Sequence, residues 1–106
     1  MKDLIIISTT SDDRSKLDEI AKTLVNENLA ACVQINGPIT SHYSWQGRIE
    51  SSTEWSCLIK TKSSLWEAVE ARIAELHNYQ TPQILAIPVA NVSKAYGEWV
   101  ELQTRN

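Results

Sequence analysis

The sequence predicts an α+β domain, and three observations carry that prediction. Strand-like and helix-like patterns follow one another in the order βαββαβ, with one more helix at the end. The two middle strands run into each other from Leu29 to Thr61 with only a short turn between them. And 106 residues suffice for one hydrophobic core but not for two. Two βαβ-like halves joined by a hairpin give the ferredoxin-like arrangement: a four-stranded antiparallel sheet with two helices on one face. The whole chain, residues 1–106, reads as one such domain with a long β2–β3 hairpin and a C-terminal helix.

Taken in order, Leu4–Thr10 is a buried strand, because four consecutive aliphatic residues, three of them β-branched, fit a sheet better than a helix. The polar stretch Ser8–Asp13 offers several N-caps, and Leu17, Ile20, Ala21, Leu24 and Val25 follow at helical spacing, ending near Asn28. Leu29–Asn36 is the second strand, with Ala31, Val33 and Ile35 on one face; Gly37-Pro38 bends or interrupts it. Ser41, Tyr43 and Trp45 then share a face of a short extended segment, and Gln46-Gly47 fits a tight turn. Arg48–Thr61 is the third strand, with Trp55, Cys57 and Ile59 alternating on one face. Ser64-x-x-Glu67 has the form of a capping box opening a helix whose stripe is Leu65, Val69, Ile73 and Leu76. Ile84–Ala90 is the last strand, placed at an edge or bulge by Pro88, and Ser93–Thr104 the last helix, carrying Tyr96, Trp99, Val100 and Leu102.

Charge excludes some functions. A formal net charge of −3 with scattered basic residues gives no patch for nucleic acid or an acidic membrane surface. The apolar runs Leu4–Ile7 and Ile84–Ile87 are far shorter than the roughly 20 residues of a membrane span. The N-terminus lacks the apolar stretch and cleavage site of a secretory leader, so a cytoplasmic location is expected. Cys32 and Cys57 lie in apolar strand segments without C-x-x-C spacing, which favours two free, buried thiols.

No catalytic motif is visible. Three glycines leave no phosphate-cradling loop, and there is no nucleophile elbow. His42 and His77 are far apart and lack the spacing of a metal motif; at the end of a helix, His77 fits a dipole-complementing cap. Glu50, Glu54 and Lys60 along the third strand read as a solvated face, although Lys60 near the strand end can serve as a point charge for an anion. The oversized hairpin with Tyr43, Trp45 and Trp55 fits an interface with another copy better than a loop folded on its own domain.

Five segments together carry a resemblance: Leu29-Ala-Ala-Cys-Val33, Ser41-His-Tyr-Ser-Trp-Gln-Gly-Arg-Ile49, Glu54-Trp-Ser-Cys-Leu-Ile-Lys-Thr61, His77-Asn-Tyr-Gln-Thr-Pro-Gln-Ile84 and Tyr96-x-x-Trp99. In this order and spacing they resemble the CutA divalent-cation tolerance family along nearly the whole chain. The resemblance implies a ferredoxin-like fold, a homotrimer whose hairpins pair between subunits, a role in tolerance of copper and other divalent cations, and a likeness of fold and assembly to PII signalling proteins. It implies no enzymatic activity and no obligatory cofactor. The family's proposed copper ligands fall on Ser8, His77 and Gln83, where only the His is a good donor, so divalent copper is expected to bind weakly. The candidate site is an inter-subunit cleft near His77, Tyr79, Gln83 and Lys60. Two alternatives stand beside metal tolerance: a PII-like sensor holding a small anionic ligand against Lys60 and Tyr79, and a trimeric scaffold for partner proteins.

Overall fold

The computed structural model describes residues 3–106, with Met1 and Lys2, on which part of the leader argument rests, outside the described residues. Its elements are β1 (Leu4–Ser11), α1 (Arg14–Asn26), β2 (Cys32–Trp45), β3 (Arg48–Lys62), α2 (Trp66–Leu76), β4 (Leu85–Pro88) and α3 (Lys94–Gln103). The sheet order is β2-β3-β1-β4 with every pairing antiparallel, as the ferredoxin-like reading requires. No helix of the described residues is long and apolar enough to cross a membrane.

The pleat divides β1 cleanly. Ile5 and Ile7 face α1 and α2, where Leu17, Ile20, Leu24, Val69 and Ile73 close the main core with Cys57 and Ile59 of β3. Leu4 points to the opposite face and packs with Ala31 and Val100 in a second, smaller cluster. Helix α3 therefore covers the far side of the sheet. This is why the aliphatic run at Leu4–Ile7 does not alternate with polar residues: both faces receive cover at that end.

Local chemistry sets the helix ends. Asp13 caps α1, its Oδ1 accepting the Lys16 N–H at 3.3 Å and the Ser15 hydroxyl at 2.6 Å. Those bonds hold its carboxyl below the usual carboxylate value. The helix ends at Asn26 with Glu27 as its C-cap, and Asn28 beyond it turns the chain in the left-handed region at φ 59, which asparagine tolerates. Ser93 caps α3 by accepting the Tyr96 N–H at 3.3 Å. The capping box at Ser64 does not form. Ser63–Leu65 is a turn of 3₁₀ helix, so α2 begins at Trp66 with Leu65 at its N-cap and no side-chain bond there.

The second strand does not end at Gly37. It starts at Cys32 and continues to Trp45, because the chain passes the Gly37-Pro38 step as a bulge. Asn36 pairs with Ser56 and the next pair is Ile39 with Glu54, so β2 spends three residues where β3 spends two. Such a slip sends every later side chain of β2 to the other face. Gly37, with φ +145, sits where a Cβ would stand 2.6 Å from Cδ1 of Trp55. The hairpin turn is as the sequence predicts: Gln46 and Gly47 have φ of 50° and 78°, the pattern of a type I′ turn.

Cys32 pairs with Lys60 and Cys57 with Ile35, which puts the two thiols on opposite faces of the sheet, and both are free. Burial raises the Cys57 thiol to about 12, so it is a core hydrophobe and not a thiolate.

Candidate functional site

The segment after α2 crosses over the end of the sheet opposite to α3, and a set of side-chain bonds fixes it there. His77 is the C-cap of α2, its own N–H bonded to Ile73 O at 2.8 Å and its backbone extended. Its Nδ1 accepts the Tyr79 N–H at 2.9 Å, and its Nε2 lies 2.8 Å from the Thr10 carbonyl oxygen. A backbone N–H only donates and a carbonyl only accepts, which assigns the proton to Nε2 and leaves the ring neutral. Burial pushes His77 below the ordinary imidazole value, against the Thr10 bond and the carboxylates of Glu54 and Asp12, which favour the charged ring. The sequence-based role of a cationic, dipole-complementing cap is therefore corrected: the ring turns inward and stays uncharged.

Tyr79 extends the fastening. Its hydroxyl donates to Oε2 of Glu54 at 2.6 Å and accepts the Asp12 N–H at 2.8 Å. Burial, then the Glu54 carboxylate, raises the phenol well above its usual value, so it remains a donor. Asn78 accepts the Ser11 hydroxyl at 2.6 Å and donates to Asp12 Oδ1 at 2.9 Å. Glu54 is 7% exposed, where the sequence suggested a solvated side chain. It is buried because the loop from His77 is laid over it.

The sequence-predicted residues fall into separate places. His77 and Tyr79 belong to one network. Gln83 donates to the Ser8 hydroxyl at 3.3 Å, so the family's first and third copper positions do meet. The second does not supply a ligand, because both ring nitrogens of His77 already hold bonds. Among the described residues no group of three His, Cys, Asp or Glu converges as a metal site. The donors present therefore do not fit a tight divalent-metal centre. Lys60 bonds to Gln34, six residues from Glu54 along β3, which is roughly 20 Å at about 3.3 Å per residue. Within one chain it does not join Tyr79. Trp55 packs against the main core and against Gly37, so its bulk is accounted for inside one chain. Tyr43 and Trp45 are 43% and 48% exposed.

Between the hairpin arm and the loop lies a cleft of about 760 Å³. The bulge in β2 determines its wall. After it, Ile39 opposes Glu54, Tyr43 opposes Glu50 and Trp45 opposes Arg48, so Tyr43 and Trp45 share a face with Glu50 and Glu54. Tyr79, Gln80, Thr81, Pro82 and Gln83 close the other side. The sequence marked the two aromatics but read the two acids as a solvated face, since the burial of Glu54 depends on a loop that returns from residue 77.

Comparison with known proteins fits this architecture. Residues 5–103 match the family described as CutA1 divalent ion tolerance protein. The chain is 36% identical over 102 residues to the divalent-cation tolerance protein CutA of Pyrococcus horikoshii, covering 96% of this chain and 99% of that protein. It is 36% identical to the chloroplastic protein CutA of Arabidopsis thaliana, but spans only 56% of that protein's length. The crystal structure of CutA from Xylella fastidiosa superposes with a TM-score of 0.94 at 34% identity over 97% of this chain and 99% of that one. The divalent cation tolerance protein of Thermus thermophilus gives 0.93 at 34% identity over 96% and 99%. With a match over nearly its full described length in both sequence and fold, the chain belongs to the CutA1 divalent ion tolerance family.

Proposed function

We propose that the protein acts in divalent-cation tolerance, copper included, as a non-enzymatic homotrimer in the cytoplasm that works through binding rather than through a tight metal centre. One observation carries the self-association. On the sheet face opposite α1 and α2, between α3 and the loop from His77, Ile6 stands opposite Ile87, and in the next row Leu58 and Leu85 flank Ser8, with Leu85 42% and Ile87 50% exposed. The flanking edges support the same reading: β2 is an edge strand of 14 residues, and its arm helps stretch the chain to 44 × 26 × 22 Å. A second copy offers both an apolar face and a strand edge; three copies is the number the family resemblance implies. Tyr43 and Trp45 on the same arm fit the rim of that interface.

Copper binding is weak on this reading, since the imidazole is engaged and Gln83 and Ser8 are neutral. The anion-sensor alternative requires Lys60 to come from a neighbouring copy, because Lys60 stands apart from Tyr79 within one chain. Sedimentation equilibrium tests the assembly: a trimer is expected for the wild type, and Leu58→Asp combined with Ile87→Asp should dissociate it. A wild-type monomer across all concentrations would refute the proposal.

A further inference from the structure

Two aromatic patches stand at opposite ends of the sheet, and they complement each other in shape and charge. At one end, Tyr96 and Trp99 lie a helical turn apart on α3, their ring centroids 5.6 Å from each other, 37% and 41% exposed. Helix α3 rests on the sheet over Leu4 and Ala31, so the pair lies on the flank of a ridge. Tyr96 lies against Cys32, and Cys32 is paired with Lys60, which puts an ammonium at the foot of that ridge. At the other end is the cleft of about 760 Å³, lined by Tyr43, Trp45, Glu50 and Glu54 and by no Lys or Arg. One patch is convex, aromatic and cationic; the other is concave, aromatic and acidic.

Within one chain these patches never meet. Lys62, which pairs with Glu101 of α3, stands 12 residues from Glu50 along β3, roughly 40 Å at about 3.3 Å per residue. Their charges are also unanswered inside the chain. Among the described residues Glu50, Glu54 and Lys60 take part in no ion pair, and Lys60 bonds only to the neutral amide of Gln34. A second copy brings the two ends together. Tyr and Trp that one chain leaves half exposed are the residue types that anchor interfaces once water is excluded. The occupant is a copy of this chain because both complementary halves are present in it. The apolar face given above to self-association runs between them, so the three surfaces are continuous.

We propose that α3 of one copy seats in the cleft of the next, with Tyr96 and Trp99 packed against Tyr43 and Trp45, and with Lys60 of the incoming copy paired to Glu50. This rests on the self-association reading and goes beyond it by assigning which surfaces meet. The giving and receiving patches differ, so the contact is heterologous. Each copy gives α3 to one neighbour and receives it from the other, and such contacts close as a ring. The cleft is complete only in the assembly.

The test is a disulfide between copies. In a Cys32→Ser background, Trp45→Cys and Trp99→Cys are introduced together, and the full chain is treated with diamide, which takes up the two hydrogens of each thiol pair as the disulfide forms. The two positions are too far apart to join within one chain, since a disulfide needs Cα atoms within about 7 Å of each other. Dimeric and trimeric bands are expected on a non-reducing gel. A control that pairs Trp99→Cys with Glu19→Cys, exposed on α1, should stay monomeric on the same gel. The charge contact is tested with the aromatics intact. Lys60→Glu and Glu50→Lys should each weaken assembly in sedimentation equilibrium by about threefold or more, and the chain carrying both should regain most of that loss. The proposal is overturned if the cysteine pair assembles as a trimer without an inter-chain disulfide, or if the combined charge exchange assembles no better than the single variants. The charge exchange decides where the cysteine variant does not assemble. A monomeric wild type overturns the self-association reading itself, so the two failures are told apart.

Discussion

Replacing Tyr79 with Phe removes one oxygen and should cost about 2–3 kcal/mol. The hydroxyl gives its proton to Glu54 at 2.6 Å, within the range of a charge-assisted bond, and takes the Asp12 N–H at 2.8 Å. A hydrogen bond to a charged group contributes about 1.5–3 kcal/mol, and more is lost when a buried acceptor is stranded. Glu54, at 7% exposure, is such an acceptor. The Asp12 N–H lies in an exposed turn, where water replaces the lost partner at a cost of only ~0.3 kcal/mol. For a chain of this size the loss corresponds to a fall in Tm of roughly 10–15 °C. The assay is a thermal melt by circular dichroism at fixed protomer concentration, since self-association makes Tm depend on concentration. A double-mutant cycle isolates the pair. In a Glu54→Leu background the stranded charge is gone, so Tyr79→Phe should cost under ~0.5 kcal/mol. Additive losses from the two substitutions would refute the argument that Tyr79 acts through Glu54.

The remaining predictions use other parts of the molecule. Gly37→Ala should destabilise by about 2–4 kcal/mol, combining overpacking against Trp55 with a strained φ; Gly47→Ala, with nothing within 4 Å and only its φ of +78 to oppose it, should cost about 1 kcal/mol, and equal urea midpoints for the two would contradict this. The folded-state value of His77 lies below its unfolded one, so the unfolded chain takes up a proton first as pH falls; stability should be unaffected by this group above about 6.5 and decline below it, and His77→Gln should flatten that part of the profile. Calorimetric titration with cupric ion on untagged protein should find weak binding that His77→Ala leaves nearly unchanged, because neither ring nitrogen presents a free lone pair; a large loss would show that the ring swings out to the metal.

The elements with strong local periodicity were legible from sequence. The stripe of α1 at Leu17, Ile20 and Leu24 and the aliphatic run of β1 specify their own burial, although Val25 of the same stripe is 43% exposed, and Gln46-Gly47 specifies its own turn. Other features depend on contacts across the chain. Ser64 and Glu67 have the spacing of a capping box, yet Lys62 remains in the ladder opposite Leu4, and the chain tightens into a 3₁₀ turn before the helix can start. Gly37-Pro38 carries the composition of a strand end; a bulge leaves it outside the register while pairing resumes at Ile39. The candidate site was half visible. Tyr43, Trp45, His77 and Tyr79 stood out as residue types, whereas the burial of Glu54 comes from a loop 25 positions away. The inward turn of His77 depends on Thr10, 67 positions away, and no local pattern encodes either.

The bulge between Asn36 and Ile39 also makes Gly37-Pro38 the step at which the hairpin tolerates a change of length. Because Asn36 stays opposite Ser56 and Ile39 opposite Glu54, losing the one surplus residue would straighten the ladder and leave Tyr43 and Trp45 on the face they hold now. Neither the main core nor the loop from His77 would be altered in sequence. A one-residue change of length at positions 37–38 would therefore alter the twist and bend of the arm and leave its aromatic side chains on the same face. Length variation at this step re-aims the arm as a body, whereas substitution along the arm changes what the cleft presents.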